Sequence, residues 1–272
     1  MHLGNGAITP ECVALTVSAA SAGLGLCAWS VRRTLTRSVS EGSDADRPSL
    51  TRRVSMAVGL GAFIFAAQAV NVPILPGISA HLVGGVLLAW ALGPALGSLT
   101  MALVLALQAL LLGDGGTLAL GANILNMSLI PAALVAIAQR ANWLTSGQAQ
   151  VAPRQIGLIA ALSAAAVVIA AGLIAVEVSL FRASSELAGW TAFAQQMLSV
   201  HLLIGMAEGA TTGLIVATLA WLASPAKSLS LRPAFVTAAL AILTALAIPF
   251  SSQLPDGYEY AAERSGQANW LK

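Results

Sequence analysis

Charge is what this sequence has least of. Only 9% of its 272 residues are Asp, Glu, Lys or Arg, while 57% are hydrophobic; a soluble domain carries roughly 25% charged residues. So few charges cannot solvate a globular surface, which excludes an ordinary soluble enzyme or binding module. The formal net charge is +2, with no basic stripe and no interleaved aromatics, so a nucleic-acid partner is excluded as well. Cysteine is also scarce. Cys12 and Cys27 fall on one expected helix, about 22 Å apart along its axis, which rules out a disulfide between them and leaves packing or lipid-facing roles. No GxxxxGK[ST] motif is present, and Gly113-Asp114-Gly115-Gly116 lacks the Lys and hydroxyl residue that hold phosphate and magnesium. Any ATP hydrolysis therefore belongs to another chain. The HExxH pattern of a zinc hydrolase is missing too, and no enzymatic activity is expected. Finally, no basic region precedes the first apolar run, so a cleaved signal peptide is not expected and the amino terminus reads as mature.

What the sequence has is apolar length. Mean hydropathy is +0.83, and the apolar runs cover 11–31, 54–72, 81–93, 95–112, 118–138, 156–180, 196–223 and 233–250. Their length and number predict an all-α, polytopic helical membrane protein of roughly eight spans. The third and fourth runs are short and separated only by Gly93-Pro94, which predicts a tight helical hairpin or one broken segment. Gly84 with Gly85, and Gly205 with Gly209, are the small residues that let helix backbones approach closely. They read as internal packing or as a docking face for another membrane subunit.

Arg32, Arg33, Arg37, Arg47, Arg52, Arg53, Arg140, Arg154, Lys227 and Arg232 fall in or beside alternate loops, and only Arg182, Arg264 and Lys272 fall on the other side. The positive-inside rule makes the first set cytoplasmic and puts both termini outside. The polar stretch Ser38–Ser49 reads as a flexible cytoplasmic connector.

Three histidines are the strongest candidates for chemistry, and His2, His81 and His201 all fall toward the outer side of that topology. A histidine at position 2 offers an unusual ligand set: the Met1 amine, the His2 amide nitrogen and the His2 imidazole can close adjacent chelate rings round one ion. A further imidazole would complete a nitrogen-rich tetragonal site of the kind Ni(II) or Cu(II) prefers. His81 follows the outer loop Asn71–Gly77 and is expected to begin a helix, so it is the best fourth ligand; an interfacial helix start is the competing reading.

His201 and Glu208, in HLLIGMAEG, share one helix face about two turns apart. A carboxylate inside a span costs about 2.5–3.5 kcal/mol on insertion scales and needs a partner or a polar cavity. For Glu208 a structural hydrogen bond or ion pair competes with a role in the ion path; for His201 a supporting or core role competes with transient ligation. Gln68, Asn71, Gln108, Asn123 and Asn126 can bridge helices or orient a ligand imidazole. Asp114 reads as a turn residue.

Taken together, these residues resemble the CbiM/NikM family of substrate-binding membrane subunits of energy-coupling factor transporters for cobalt and nickel. The resemblance rests on the opening MHLGNGAITPE, on SAHLVGG at 79–85, on LLGDGGTLALGANILNM at 111–127 and on HLLIGMAEG at 201–209, and covers roughly residues 1–223. Ala80 stands where the family has Gly. The tail PFSSQLPDGYEYAAERSG is similar to the PDGLE segment of the small partner subunit, with Tyr258 in place of Leu; here it looks like a truncated fusion of that partner.

The resemblance implies a seven-helix core plus one C-terminal helix, with the amino-terminal loop inserted in the outer half of the bundle. The corresponding domains are 1–223, which binds the metal, and 233–272, the PDGLE-like helix and tail. It implies Met1, His2 and His81 as ligands of the transported Ni(II) or Co(II), no cofactor, and supporting or pathway roles for Asn71, Asn123, Asn126, His201 and Glu208. The implied partners are a coupling subunit of CbiQ/NikQ type, two ATPases of CbiO/NikO type and a small CbiN/NikN-type subunit, in a bacterial inner membrane. A motor-independent metal channel or sensor is the alternative.

Overall fold

The computed structural model describes residues 2–40, 50–145, 151–222 and 233–271. Met1, Arg47, Lys227, Arg232, Lys272 and most of the polar connector lie outside the described residues. Each apolar run contains helix, and a helix satisfies its own backbone hydrogen bonds, as a chain in lipid must. In order these are α1 (Pro10–Ser40), α2 (Leu50–Gln68), α3 (Gly85–Leu92), α4 (Pro94–Leu107), α5 (Leu120–Ile124), α6 (Ile130–Arg140), α7 (Pro153–Glu177), α8 (Trp190–Leu222), α9 (Pro233–Ala247) and the short polar α10 (Gly257–Arg264). A π-helical turn, Gln108–Leu112, extends α4, and a second, Leu125–Leu129, joins α5 to α6. Among the described residues, six helices are long and apolar enough to cross a membrane: Pro10–Thr36, Leu50–Gln68, Pro94–Leu112, Leu120–Arg140, Pro153–Glu177 and Trp190–Leu222. The protein is a multi-pass helical membrane protein.

One detail differs from the sequence expectation of roughly eight spans. The third run does not span: its first four residues are not helical, and α3 has only 8 residues. His81 therefore stands ahead of the helix rather than at its start. Gly84 has φ +74°, and both its N–H and that of Val83 are taken by a carboxylate, so the helix cannot extend backward through them. Of run eight, α9 has 15 described residues continued by a short 3-10 turn, and it carries the chain back to the side of the hook; the residues just before Pro233 lie outside the described residues. The outer loop also holds something the apolar pattern did not predict, an antiparallel hairpin of β1 (Val72–Leu75) and β2 (Ile78–Ala80) turning at Gly77.

Of the two possibilities for Gly93-Pro94, the hairpin is what forms. Gly93 takes φ +84°, α4 turns back, and Gly97 lies so close to α3 that a β-carbon there would stand 2.5 Å from the Leu88 carbonyl oxygen. Gly209 does the same between α7 and α8, where a β-carbon would reach 2.5 Å from the Ala160 oxygen. The small residues thus serve internal packing. Cys12 and Cys27 are both free thiols on α1, Cys12 buried.

The loops sort by end. Arg32, Arg33, Arg52, Arg53, Arg140 and Arg154 stand at the helix ends on one side of the bundle. Opposite them, the chain start, the β1–β2 hairpin, the GDGG turn, the α7–α8 loop and the tail after α9 are tied together by hydrogen bonds.

Candidate metal centre

The start of the chain enters the bundle as a hook, as the resemblance implied. Leu3 is fully buried, and an apolar residue so near a chain end stays inside only if its backbone is also satisfied. Asn123 does this from α5: its Oδ1 accepts the Leu3 N–H at 2.9 Å and its Nδ2 donates to the Leu3 carbonyl at 3.2 Å. The Gly116 N–H donates to the same carbonyl at 2.8 Å. Farther along, Asn5 Oδ1 accepts the Leu118 N–H at 2.9 Å, and Arg182 Nη2 donates to Gly6 and Ala7 carbonyls at 3.2 and 2.8 Å. The GDGG turn is shaped by this passage. A β-carbon on Gly115 would press within 3.2 Å of His2 Cβ, and one on Gly116 would collide with Asn5.

The hook delivers His2 to His81. Their rings stack with centroids 5.2 Å apart and planes 9° from parallel. The His2 side chain is only 5% exposed and its Nδ1 stands 3.0 Å from Asp114 Oδ1. Its Nε2 is buried with no hydrogen-bond partner. Asp114 is therefore more than a turn residue. It orients an imidazole through one nitrogen and leaves the other nitrogen bare, which is how carboxylates support metal-binding histidines. In this arrangement His2 offers Nε2. The chelate with the Met1 amine and the His2 amide requires Nδ1, so forming it means turning the ring away from Asp114; Met1 itself lies outside the described residues.

The charges agree with cation binding. Burial lowers the His81 pKa to about 3, helped by neighbouring positive charge, so His81 is neutral and keeps a lone pair at working pH. For Asp114, burial alone would raise the pKa, but the hydrogen bond from His2 and the surrounding positive charge outweigh it and hold the carboxyl at about 2.

The other candidate residues divide into supports and bystanders. Glu208 grips the segment just after His81: its two oxygens accept the N–H groups of Val83 and Gly84, each at 2.9 Å. Gln68 Nε2 donates to the Val83 carbonyl at 2.7 Å. Glu208 is thus satisfied by backbone and not by an ion pair. His201 makes a 2.7 Å contact through Nδ1 with the Met197 carbonyl and lines a small cavity together with His81 and Asp256. Asn126 donates to Glu177 at 2.8 Å. Asn71 joins the tail, its N–H donating to Ser251 Oγ at 2.8 Å and its carbonyl accepting from Ser252 N–H at 2.8 Å. Gln108, buried in the π-helical turn, has neither side-chain polar atom paired. No group of three or more His, Cys, Asp or Glu is placed to hold an ion among the described residues.

Two participants were missed. Arg182, which ties down the hook and lies over the Trp270 ring at 5.3 Å, carried a signal: it is a basic residue on the sparsely basic side. Asp256 sits in the PDG turn of the tail, read only as part of a truncated partner. Burial would raise its pKa, yet surrounding positive charge and the Glu259 N–H lower it well below the usual carboxylate range.

Comparison with known proteins agrees with this architecture. A transition metal transporter solved in truncated form superposes with a TM-score of 0.62 at 30% identity, covering 80% of this chain and 98% of that one. A second transition metal transporter structure gives 0.58 at 29%, covering 80% and 92%. Among curated relatives, a protein of Archaeoglobus fulgidus named as fused nickel transport protein NikMN is 54% identical over 71 residues, 26% of this chain and 24% of that protein. One of Lactiplantibacillus plantarum named as fused nickel transport protein LarMN is 53% identical over 66 residues, 24% and 20% of the two chains. A cobalt transport protein CbiM of Haloquadratum walsbyi is 32% identical over 130 residues, 48% and 54%. The aligned regions thus span about a quarter or less of the fused relatives' length. Residues 2–226 match the family described as the cobalt uptake substrate-specific transmembrane region, CbiM, and the chain belongs to that family.

Proposed function

We propose that this protein captures Ni(II) or Co(II) on the extracytoplasmic face and serves as the substrate-binding subunit of an ATP-driven uptake transporter. It does no bond-making chemistry. The observation that carries the reading is the buried His2–His81 pair, stacked at 5.2 Å, with Asp114 holding one nitrogen of His2 and the other nitrogen bare. An unpaired buried nitrogen is a cost, and a borderline-soft divalent ion is the partner that would remove it. The arginine-rich helix ends opposite this site favour an outward-facing site under the positive-inside rule. With no phosphate-binding motif in the chain, the energy would come from partners, a coupling subunit of CbiQ/NikQ type and two ATPases of CbiO/NikO type. Relatives named for nickel and for cobalt both match, so the site is read as taking either ion, with the PDGLE-like tail in a CbiN/NikN-like role.

Ni(II) and Co(II) titration of the purified protein tests the site. His2→Ala and His81→Ala should each abolish tight binding, and N-terminal acetylation should weaken it; unchanged affinity in both variants sinks the assignment. Metal uptake by cells expressing the chain with and without the ATPase partners tests the coupling, and equal uptake in both would point to a motor-independent channel.

A further inference from the structure

We propose that one water molecule is bound inside the membrane domain by Asn126, Ser163 and Glu208, and that it braces the clamp Glu208 makes behind His81. Two bare atoms carry the inference. Asn126 and Ser163 are each 2% exposed, and Asn126 Oδ1 and Ser163 Oγ are buried with no hydrogen-bond partner, a state that native proteins rarely leave unexplained. The orientation of the amide is fixed: its Nδ2 donates to Glu177 Oε2 at 2.8 Å, and a carboxylate oxygen accepts, so Oδ1 is the atom left over. For Ser163 the contrast lies within the same protein. A hydroxyl on a helix commonly falls back on the carbonyl one turn earlier, as those of Thr16, Thr100 and Thr244 do at 2.8, 2.9 and 2.8 Å. Ser163, on α7, makes no such bond.

Both residues line one cavity of about 10 Å³, room for a single water. Glu208 lines it too, and its partners among the described residues are the N–H groups of Val83 and Gly84, one to each oxygen. The α7 wall is otherwise Ala166, Val167 and Ala170, which offer no side-chain hydrogen bond. A buried water needs two to four polar partners. Here it donates to Asn126 Oδ1 and to a Glu208 oxygen and accepts the Ser163 proton. The set does not suit the transported ion, since it offers no imidazole or thiolate and admits only one water-sized body. The consequence lies at the metal site. Val83 and Gly84 follow His81 closely in the chain, and Glu208 holds them from α8. A water that ties the same carboxylate to α7 and to the Leu125–Leu129 π-turn makes this clamp a junction of three elements. The effect on the ion rests on the reading of His81 as a ligand; the water itself does not.

Metal-free full-length protein tests the water. A crystal structure at a resolution that shows ordered water should place a peak about 2.5–3.0 Å from both Asn126 Oδ1 and Ser163 Oγ. Melting in detergent adds a test of sign. If the cavity is dry, Ser163→Ala deletes an unsatisfied buried hydroxyl and the melting temperature stays or rises; if the water is there, the variant removes one of its three partners and the melting temperature falls by about 2 °C or more. An empty cavity at that resolution, or a Ser163→Ala protein that melts no lower than the wild type, overturns the proposal. Ni(II) titration tests the bracing. Ser163→Ala should lose about twofold to tenfold in affinity, less than the roughly 10–100-fold cost of a partner that touches a ligand. In a Glu208→Ala background the same change should cost nothing further, because Ser163 then has no clamp to act through. Unchanged affinity in Ser163→Ala, or losses that add in the double variant, remove the bracing role. His81→Ala separates the two readings: if it leaves Ni(II) binding intact the assigned metal site is wrong, while the crystallographic and melting results still decide the water.

Discussion

The two ends of the chain meet on one face of the bundle, and a different balance of forces holds each of them. The amino-terminal hook is held by hydrogen bonds: Asn123 on both sides of Leu3, Gly116, and the Arg182 guanidinium on two carbonyls. The carboxyl-terminal tail adds aromatic packing to its hydrogen bonds with Asn71 and Ser79. Tyr258 and Trp270 both meet the Phe193 ring edge to face, at 6.1 and 5.1 Å, and Tyr258 Oη donates to the Trp270 carbonyl at 3.0 Å. Directional bonds fix where a group points, whereas burying three aromatic rings mainly fixes that the segment stays down. The hook must present nitrogen atoms at exact angles, and the tail must cover them. Each end uses the force its task requires.

That contrast can be broken experimentally. Phe193→Ala should have the largest effect on stability, since a large buried aromatic truncated to Ala costs about 3–5 kcal/mol. The melting temperature in detergent should fall clearly, and the tail beyond Ser251 should become sensitive to protease. A tail still protected in that variant would mean that Ser79, whose Oγ and N–H donate to Leu254 and Pro255, holds it without the rings. Asn123→Ala should act the other way round. Leaving the Leu3 N–H and carbonyl short of partners costs about 1–3 kcal/mol, which should appear mainly as about tenfold or greater loss of Ni(II) affinity with little change in melting; equal losses in both would erase the distinction between the ends.

The smallest expected effect is on pH. His81 titrates at about 3 when folded against 6.5 for a free imidazole, so between those values the unfolded chain binds more protons and acid favours unfolding. Metal-free protein should therefore lose stability as pH falls from 7 to 6, by less than about 1 kcal/mol. His81→Gln should flatten that slope. Asp114 has the opposite chemistry and the same sign: its contribution is present above the free carboxyl value and is lost only as pH falls through about 2, well below this window.

Much of this was legible in the sequence, for reasons that differ by residue. Helices follow from apolar length, and His2 and His81 follow from their ligand chemistry and family-like settings. Glu208 was legible as an anomaly, because a carboxylate in a span must be satisfied, but not as the clamp on Val83 and Gly84, since backbone N–H groups leave no mark in a sequence. Asp114 was hidden by locality: Gly-Asp-Gly-Gly describes a turn perfectly well, and its bond to His2 joins residues more than a hundred positions apart. The shortness of α3 was hidden for the same reason. Apolar residues continue from His81 to Leu92, and the helix is stopped by Gly84 and by an acceptor from another helix.

Glu208 also bears on how the site could open. It rides on α8, a rod of 33 residues, about 50 Å long at 1.5 Å per residue, whose other end lies at the opposite side of the bundle. The same rod carries His201. An axial slide by one helical turn, about 5.4 Å, is enough to pull both Glu208 oxygens out of hydrogen-bonding range of Val83 and Gly84. A push at the far end of this lever therefore either drags the loop bearing His81 with it or unlatches that loop.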